Sequence, residues 1–180
     1  MKKALLPLFV FILVIGGCTR QKYLVESDYS FLTEFEKYRN FTWRHFDHSK
    51  LSKVGWDSTT VGVEIAKQMQ LRGYKSMGDN ADLIVISTFY DDSFRFQGYY
   101  QPDLRSRKWI KEDEQKYSKT TYRFRNGTLL IQFVDNSNSY IIWQGYASGI
   151  PIGEVNDNSR VLKRAIRDIF DEYTVMATGM

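Results

Sequence analysis

The sequence predicts an α+β domain in two layers, a mixed sheet of four to five strands with two helices on one face. Three observations predict this fold. Residues 81–90, ADLIVISTFY, form a continuous apolar run that suits a central strand, and two other segments repeat apolar residues at helical spacing. Residues 119–148 contain three strand-like stretches separated by turns. The order of these elements indicates a strand–helix–strand (βαβ) unit followed by an antiparallel meander.

The first half of the chain predicts the βαβ unit. Residues 35–46, FEKYRNFTWRHF, are aromatic and loosely alternating, as in a half-covered strand. A helix is expected to begin at an N-cap within residues 57–59, and Gly73 is expected to end it. Its buried face is predicted to contain Val61, Ile65 and Met69, and its water-facing side Lys67 and Gln68. A central strand over residues 82–90, parallel to the first strand, completes the unit.

Three strands are predicted for the meander. KTTYRFR, residues 119–125, is expected to pair with TLLIQFVD, residues 128–135, as a hairpin. Asn126-Gly127 between them is a favoured pair for a two-residue turn, because both positions need positive φ. DNSNS then turns the chain into YIIWQGYA, residues 140–147, the last strand.

The second helix is expected over residues 158–173, NSRVLKRAIRDIFDEY. Its apolar residues follow one helical stripe, which consists of Val161, Leu162, Ala165, Ile166, Ile169 and Phe170. We expect the two helices to cover the sheet, and Trp143 of the last strand to pack beneath a helix.

The N-terminus has the pattern of an export signal. Lys2 and Lys3 precede the apolar stretch ALLPLFVFILVI, and Gly16 and Gly17 lead to Cys18. A membrane-spanning helix needs about 20 apolar residues, so this shorter stretch indicates a secretory signal peptide instead.

Residues 15–18, IGGC, resemble a bacterial lipobox, in which an aliphatic and two small residues precede the acceptor cysteine. The resemblance implies cleavage before Cys18, a diacylglyceryl group on its thiol, and a fatty acyl chain such as palmitate on its new amino group. Each buried CH₂ contributes about 0.8 kcal/mol, so several chains anchor a protein firmly in a membrane. Cys18 is the only cysteine, so an internal disulfide is impossible. An ordinary signal peptide with a chance cysteine is the alternative.

These signals divide the chain into a lipoprotein signal peptide (1–17), a lipidated tether (18–27) and one α+β domain (28–180). Thr19, rather than Asp, follows the cysteine, which in the sorting pattern of such lipoproteins indicates the outer membrane. The tether also lacks the acidic run associated with surface display. We therefore expect a domain that faces the periplasm and reaches the membrane through lipid on Cys18.

The charge of the chain argues against a nucleic-acid partner. The chain contains 25 Lys and Arg against 21 Asp and Glu, a formal net charge of +4. Loss of Lys2 and Lys3 with the signal peptide would bring the mature chain close to neutrality. A nucleic-acid-binding domain would need a clustered basic face.

The sequence lacks the motifs of common catalytic and metal sites. It has no G-x-S-x-G nucleophile motif and no glycine-rich phosphate loop. His45 and His48 would point to opposite faces of a strand, and no further histidine exists to complete a metal site. We therefore predict no catalytic residue, no metal and no cofactor. Asp91 and Asp92 are the exception to be weighed, because they follow the strand 82–90 and strand ends are where α/β sites gather.

Residues 91–118 are the most unusual segment, because loops longer than about 12–15 residues are uncommon and tend to be functional or disordered. The segment is rich in aromatic residues, and its basic and acidic residues balance. One interpretation is an extra hairpin or short helix that caps the open face of the sheet. The other is an exposed aromatic and arginine surface that binds a partner. The residues expected to bind are Tyr99, Tyr100, Trp109, Arg105 and Arg107.

Five stretches of the mature chain carry a family resemblance. They are YRNFTW (38–43), RGY (72–74), ADLIV (81–85), GTLLIQFVD (127–135) and IIWQGYASG (141–149). On these stretches the chain resembles the bacterial lipoproteins grouped as domain of unknown function 4136. Gln144 stands where a basic residue often precedes glycine in that family. The resemblance implies an envelope lipoprotein and supplies no reaction and no catalytic residue.

We therefore predict a membrane-anchored envelope lipoprotein that acts as a non-catalytic binding or scaffolding module, with an envelope protein or glycan as partner. The alternative is an envelope hydrolase or ligand-processing enzyme that uses Asp91 and Asp92. Carboxylates with strongly perturbed pKa values in one deep pocket would favour the enzyme.

Overall fold

The computed structural model describes residues 23–30, 32–45, 57–99, 119–157 and 159–177. The strands are β1 (Leu24–Tyr29), β2 (Asn40–His45), β3 (Lys75–Ser76), β4 (Leu83–Tyr90), β5 (Phe94–Tyr99), β6 (Lys119–Phe124), β7 (Thr128–Asp135) and β8 (Ile141–Ser148). The helices are α1 (Ser58–Leu71), α2 (Ile152–Asp157) and α3 (Ser159–Asp171), with a 3₁₀ turn at Phe35–Lys37. None of the helices in these residues is long and apolar enough to cross a membrane.

A six-stranded mixed sheet forms the first layer, in the order β1-β8-β7-β4-β2-β3. Strands β2 and β4 are parallel neighbours joined through α1, whereas β4, β7, β8 and β1 pair in antiparallel fashion. Strands β5 and β6 form a separate two-stranded sheet. The α+β class, the βαβ unit and the central position of β4 confirm the sequence prediction.

Helices α1 and α3 pack together on one face of the sheet. The side chain of Asp57 caps α1 by accepting a hydrogen bond from the backbone N–H of Thr60 at 3.1 Å. The residues of the two apolar stripes that lose all solvent exposure are Val61, Ile65, Met69, Leu162, Ala165, Ile166, Ile169 and Phe170. The predicted buried faces of both helices are therefore confirmed.

Trp143 lies at the centre of the core beneath the helices, as predicted. Its ring is 1% exposed, and its centroid lies 4.6 Å from that of Phe133, 5.1 Å from Tyr173 and 6.3 Å from Phe170. Gly145 allows α3 to approach this ring closely. A Cβ atom at that position would lie 2.5 Å from the Trp143 ring and 2.7 Å from Cγ2 of Ile169.

A polar network links the two helices. Glu64 is buried on α1 and accepts hydrogen bonds from Gln68 at 3.1 Å and from Arg167 Nε at 2.8 Å. Burial alone would raise the pKa of Glu64, but the hydrogen bonds from Arg167 and Gln68 outweigh it and lower that pKa. Arg72 donates both to Gln68 and to the backbone carbonyl of Phe170. The prediction that Gln68 faces water is wrong, because Gln68 connects Glu64 to Arg72 inside the helix contact.

Strand β1 corrects the boundary between tether and domain. It pairs with β8 along its whole length, from Leu24 opposite Ser148 to Tyr29 opposite Trp143. Residues 24–27 were assigned to the tether and belong to the sheet instead, because Val25 and Tyr29 pack against the core. With β1 and the short β3, the main sheet has six strands rather than four to five.

The hairpin predicted around Asn126-Gly127 is wrong. Strand β6 pairs with β5, and β7 pairs with β4 over the full length of β4. Gly127 does adopt a positive φ of 72°, but it leads the chain from one sheet into the other. Its N–H donates to the carbonyl of Tyr90 at 3.1 Å, and its carbonyl accepts from the N–H of Ile150 at 2.8 Å. Asn126 lacks the positive φ that the predicted two-residue turn needs, so only the expectation for Gly127 holds, and the strand partners are set by distant contacts.

Candidate functional site

Strands β5 and β6 together form an arm beside the main sheet (residues 94–99 and 119–124). They are antiparallel, with Phe94 opposite Phe124 at the base and Tyr99 opposite Lys119 at the far end. Residues 100–118 connect the two strands beyond that far end. Of the segment 91–118, for which an extra hairpin or short helix was one prediction, only β5 is part of this arm; its partner β6 is the strand predicted to pair with β7.

Four aromatic rings join the base of the arm to the open face of the main sheet, the face opposite the helices. Phe94 stacks on Phe124 with ring centroids 4.4 Å apart and an interplanar angle of 8°. The ring centroid of Phe94 lies 4.6 Å from that of Tyr90 on β4, and the ring centroid of Phe124 lies 4.5 Å from that of Tyr146 on β8. Such pairs contribute roughly 0.5–1.5 kcal/mol each beyond the area they bury. The base of the arm is therefore held by packing against the sheet.

A polar row crosses the open face next to the arm. Asp28, Gln144 and Gln132 are neighbours in register on β1, β8 and β7, and Gln132 Nε2 donates to Gln144 Oε1 at 3.4 Å. Burial raises the pKa of Asp28, although hydrogen bonds from the next backbone N–H and from Gln144 oppose it. Two residues further along these strands, on the same face, Tyr146 is paired with Glu26 and its hydroxyl donates a hydrogen bond to that carboxylate. Burial and this carboxylate both raise the pKa of Tyr146.

The chemistry of this open face is that of a hydrogen-bonding surface. Carboxylates accept, amides both donate and accept, and a phenol does either, so together they match hydroxyl or amide groups of a ligand. Glu26 and Asp28 are not among the site residues predicted from the sequence, since Glu26 lies in the predicted tether and Asp28 at the predicted start of the domain. The signal that could have identified them is the alternation of LVESDY, which places both on one face and Val25 and Tyr29 on the other.

Asp91 and Asp92 follow β4, as predicted, but lie in different environments. Asp91 is buried, whereas Asp92 is exposed. The backbone carbonyl of Asp91 accepts a hydrogen bond from the N–H of Gly127 at 3.3 Å. Asp91 therefore takes part in the crossing that leads the chain from the arm into β7.

Asp135, at the end of β7, is a buried carboxylate like Glu64 and Asp91. It accepts hydrogen bonds from the Tyr38 hydroxyl at 2.8 Å and from the Ser137 backbone and hydroxyl at 2.9 and 2.6 Å, and Lys37 Nζ lies 3.3 Å away. Burial opposes ionisation, but the hydrogen bonds from Ser137 and Tyr38 outweigh it and lower the pKa of Asp135 to about 2. These contacts place Asp135 in the stabilisation of the β7–β8 turn.

The residues predicted to bind a partner fall mostly outside the described part of the chain. The residues that lie outside the described part are Tyr100, Arg105, Arg107 and Trp109, and the predicted lipid acceptor Cys18 lies outside it as well. Tyr99 is described through its backbone as the last residue of β5. The structure therefore brings the arm to the open face, and the binding roles of these side chains stay predictions.

The structure describes one of the two histidines, His45. His45 is exposed and its ring lies 6.2 Å from that of Trp43, and His48 lies outside the described residues. Within the described ranges, no three His, Cys, Asp or Glu side chains are grouped so that they could hold a metal ion.

A family model matches most of the chain. The family is described as domain of unknown function DUF4136, and the match covers residues 25–173. The match begins within β1 and ends just after α3, so it spans the whole described fold. No curated protein sequence matches the chain.

Solved structures resemble this chain to different degrees, all at low sequence identity. A DUF4136 family protein from Bacteroides thetaiotaomicron has a TM-score of 0.57 and 16% identity, over 86% of this chain and 97% of that one. The PelC dodecamer from Paraburkholderia phytofirmans gives 0.49 and 8%, over 87% and 99%. A minor lipoprotein from Acinetobacter baumannii gives 0.32 and 9%, over 77% and 91%. The first of these supports the fold, and identities this low say nothing further about activity.

Proposed function

Because this chain belongs to the DUF4136 family, whose function is unknown, we propose a role on its own residues: a lipid-anchored envelope protein that binds a partner without catalysis. The lipid would be on Cys18, and the domain would face the periplasm from the outer membrane. The partner, an envelope protein or a glycan, would contact the far end of the arm, where residues 100–118 join β5 to β6.

The anchor is supported by the lipobox and by the place where the fold begins. Tyr23 is buried against the core, and its hydroxyl donates to Asp168 at 2.6 Å. Tyr23 follows Cys18 by five residues, a span of about 17 Å when fully extended. A lipid on Cys18 would therefore keep the folded domain next to the membrane surface.

The observation that best supports the binding role is that the base of the arm is packed against the main sheet while its other end is not part of that packing. Its base is fixed to the open face by the rings of Phe94, Phe124, Tyr90 and Tyr146. Residues 100–118 leave and re-enter the arm at Tyr99 and Lys119, at the end away from this packed base. A fixed base lowers the entropy that binding residues beyond it lose on contact with a partner. Tyr, Trp and Arg, which those residues contain, are enriched in binding hot spots.

The absence of catalysis is supported by the environments of two buried carboxylates, Asp135 and Glu64. Asp135 is surrounded by the chain's own donors at the β7–β8 turn, and Glu64 is paired with Arg167 and Gln68 between the helices. Both have lowered pKa values, so they stay ionised and do not serve as proton donors near neutral pH.

Photo-crosslinking in intact cells tests the binding role. A photo-reactive phenylalanine analogue at Tyr100 is expected to give a defined adduct, and the same analogue at Tyr140 is the matched control. Tyr140 is 71% exposed in the β7–β8 turn and lies outside the arm. Replacing Tyr99 and Trp109 with Ala should remove the adduct while circular dichroism stays that of the wild type. An adduct formed equally from Tyr140, or an alanine variant that unfolds, would overturn the assignment of the arm.

Cell fractionation tests the anchor separately. Cys18→Ser should give an uncleaved precursor or a protein released from the membrane fraction, while the wild type partitions into detergent. A mature N-terminus at any residue other than Cys18 would contradict the lipid anchor. Recovery of the lipidated protein in the inner membrane would contradict the outer-membrane location alone.

A further inference from the structure

The outward face of the arm carries two arginines directly opposite each other. Arg95 of β5 and Arg123 of β6 are partners in register, and both side chains are exposed. Directly opposed residues in an antiparallel pair have Cβ atoms about 4.5–5.5 Å apart, and like charges at that distance are destabilising. An anion between the two guanidinium groups would remove this repulsion.

The other face of the arm explains why the arginines point outward. Phe94 and Phe124 are the neighbours of Arg95 and Arg123 along the strands, and their rings pack against Tyr90 and Tyr146 of the main sheet. Successive side chains of a strand point to opposite faces, so the arginines lie on the face turned away from the sheet.

Arg125 extends this cationic surface towards the end of the sheet. It follows β6 and is exposed, and it lies two residues, about 7 Å along the chain, from Arg123. Among the described residues, none of these three arginine side chains forms an ion pair or hydrogen bond. Two other exposed arginines are paired, Arg44 with Asp79 at 3.0 Å and Arg167 with Glu64 at 2.8 Å.

This surface lies at the end of the domain where the chain enters it. The backbone N–H of Arg125 donates to Ser148 Oγ at 2.7 Å, and Ser148 is paired with Leu24, the first residue of β1. Leu24 is itself 45% exposed.

We propose that Arg95, Arg123 and Arg125 form a surface that binds the headgroups of anionic lipids and holds the arm against the membrane. This proposal rests on the proposed lipid anchor at Cys18, which would bring these residues close to the headgroups. Guanidinium groups suit this partner, because their planar forks pair with phosphate oxygens at two points. Two opposed arginines can bind one phosphate from both sides, whereas a single surface cation can contact it from one side only.

Energy transfer in reconstituted vesicles tests the proposal on the mature lipoprotein. A donor dye is attached to Thr121→Cys, an exposed position two residues from Arg123 on the same strand face. The acceptor dye is on lipid headgroups, in vesicles of phosphatidylcholine alone or mixed with phosphatidylglycerol. Transfer should be greater in the anionic vesicles, and raised salt should reduce it to the neutral level, because exposed charges are screened.

Charge reversal tests whether Arg95 and Arg123 are the residues that bind the anionic headgroups. Arg95→Glu with Arg123→Glu should lower the equilibrium constant for the headgroup-bound orientation by at least roughly 30-fold, because losing two cations at an anionic surface has that effect and the two added carboxylates are also repelled. The matched control is Lys67→Glu with Lys75→Glu, which changes net charge equally at two exposed positions on α1 and β3. The control should behave as the wild type.

Three results would overturn the proposal. The first is equal transfer in both kinds of vesicle, and the second is the same loss in the lysine control. The third is binding of soluble polygalacturonate that depends on Arg95 and Arg123 without any response to lipid composition, which would assign the surface to an acidic glycan. Failure of the protein to float with either kind of vesicle is a different result, since it would overturn the anchor on Cys18 itself.

Discussion

The two faces of the main sheet are built from the same strands but differ in how far their side chains are buried. On the face beneath the helices, the alternate residues of β4 and β7 are sealed from solvent: Leu83, Val85, Leu129, Ile131 and Phe133. On the open face, the intervening residues of the same strands stay half-buried: Ile84, Ile86, Leu130, Gln132 and Val134. The arm covers one end of that open face, where Thr128, Tyr146 and Ser148 are buried.

The contrast separates stability from binding. Burying apolar area contributes roughly 25 cal/mol per Å², so the helix-covered face supplies most of the free energy of folding. The open face retains carboxylates, amides and aromatic rings that are only partly covered, and the arm is attached to it. The open face and arm can therefore change with less cost to the fold, which is what a binding surface requires.

The largest effect is expected from Trp143→Ala on the covered face. The substitution leaves a cavity among Phe133, Phe170 and Tyr173, and it should lower the free energy of unfolding by about 3–5 kcal/mol. Chemical denaturation of the purified protein measures this loss. A loss below that of an average surface substitution would contradict the contrast between the faces.

Trp143→Phe is the matched control for this experiment. Among the described residues, Nε1 of Trp143 is the one buried side-chain nitrogen or oxygen that has no hydrogen-bond partner. Phenylalanine removes that unpaired donor and keeps most of the packing, so its cost should be clearly smaller than that of alanine.

Gly127→Ala tests the junction between the arm and the sheet. An added Cβ would meet the Ile150 carbonyl oxygen at 1.9 Å, and the φ of 72° is unfavourable for alanine. We expect a loss of about 2–4 kcal/mol, from backbone strain and steric overlap together. Gly78→Ala is the control, because nothing lies within 4 Å of its Cβ position. Equal melting temperatures for the two variants would show that the junction tolerates displacement.

Asp135 gives the covered face a dependence on acid. Its pKa is lowered from 3.8 to about 2, so its ionised form stabilises the fold at pH values above the unfolded pKa. That contribution, about 2 kcal/mol, is lost as the pH falls through the folded pKa, between about pH 4 and pH 2. Asp135→Asn should therefore be less stable than the wild type at neutral pH and approach it at the acid end. If the difference in free energy of unfolding between the wild type and Asp135→Asn stays constant from neutral pH to pH 2, the assignment is contradicted.

The smallest effect is expected on the open face, from Tyr146→Phe. The substitution removes the hydroxyl that donates to Glu26 and leaves the ring on Phe124. Glu26 is exposed and keeps its access to water, so the cost should be about 1 kcal/mol. Tyr140→Phe, at a site 71% exposed, should cost less still. A loss as large as that of Trp143→Ala would place the base of the arm in the same stabilising core.

Sequence reasoning succeeded wherever a local pattern has one physical solution. The apolar stripes of α1 and α3 and the run of β4 could be buried in only one way, and Trp143 was placed correctly for the same reason. It failed where the outcome depends on residues far apart in sequence. LVESDY alternates as a strand does, but it is short and polar, and its pairing with β8 is what makes it part of the sheet.

The sequence by itself determined the α+β class, the two helices, their buried faces and the central strand, because periodicity and apolar content are local properties. It also contains the lipobox on which the proposed anchor depends. Strand order is different, because a strand can pair with any edge that offers free backbone groups. Only the packed fold set β6 against β5 and placed Arg95 opposite Arg123. It also buried Gln68 between two helices and brought Glu26 to Tyr146, contacts between residues that no local pattern relates.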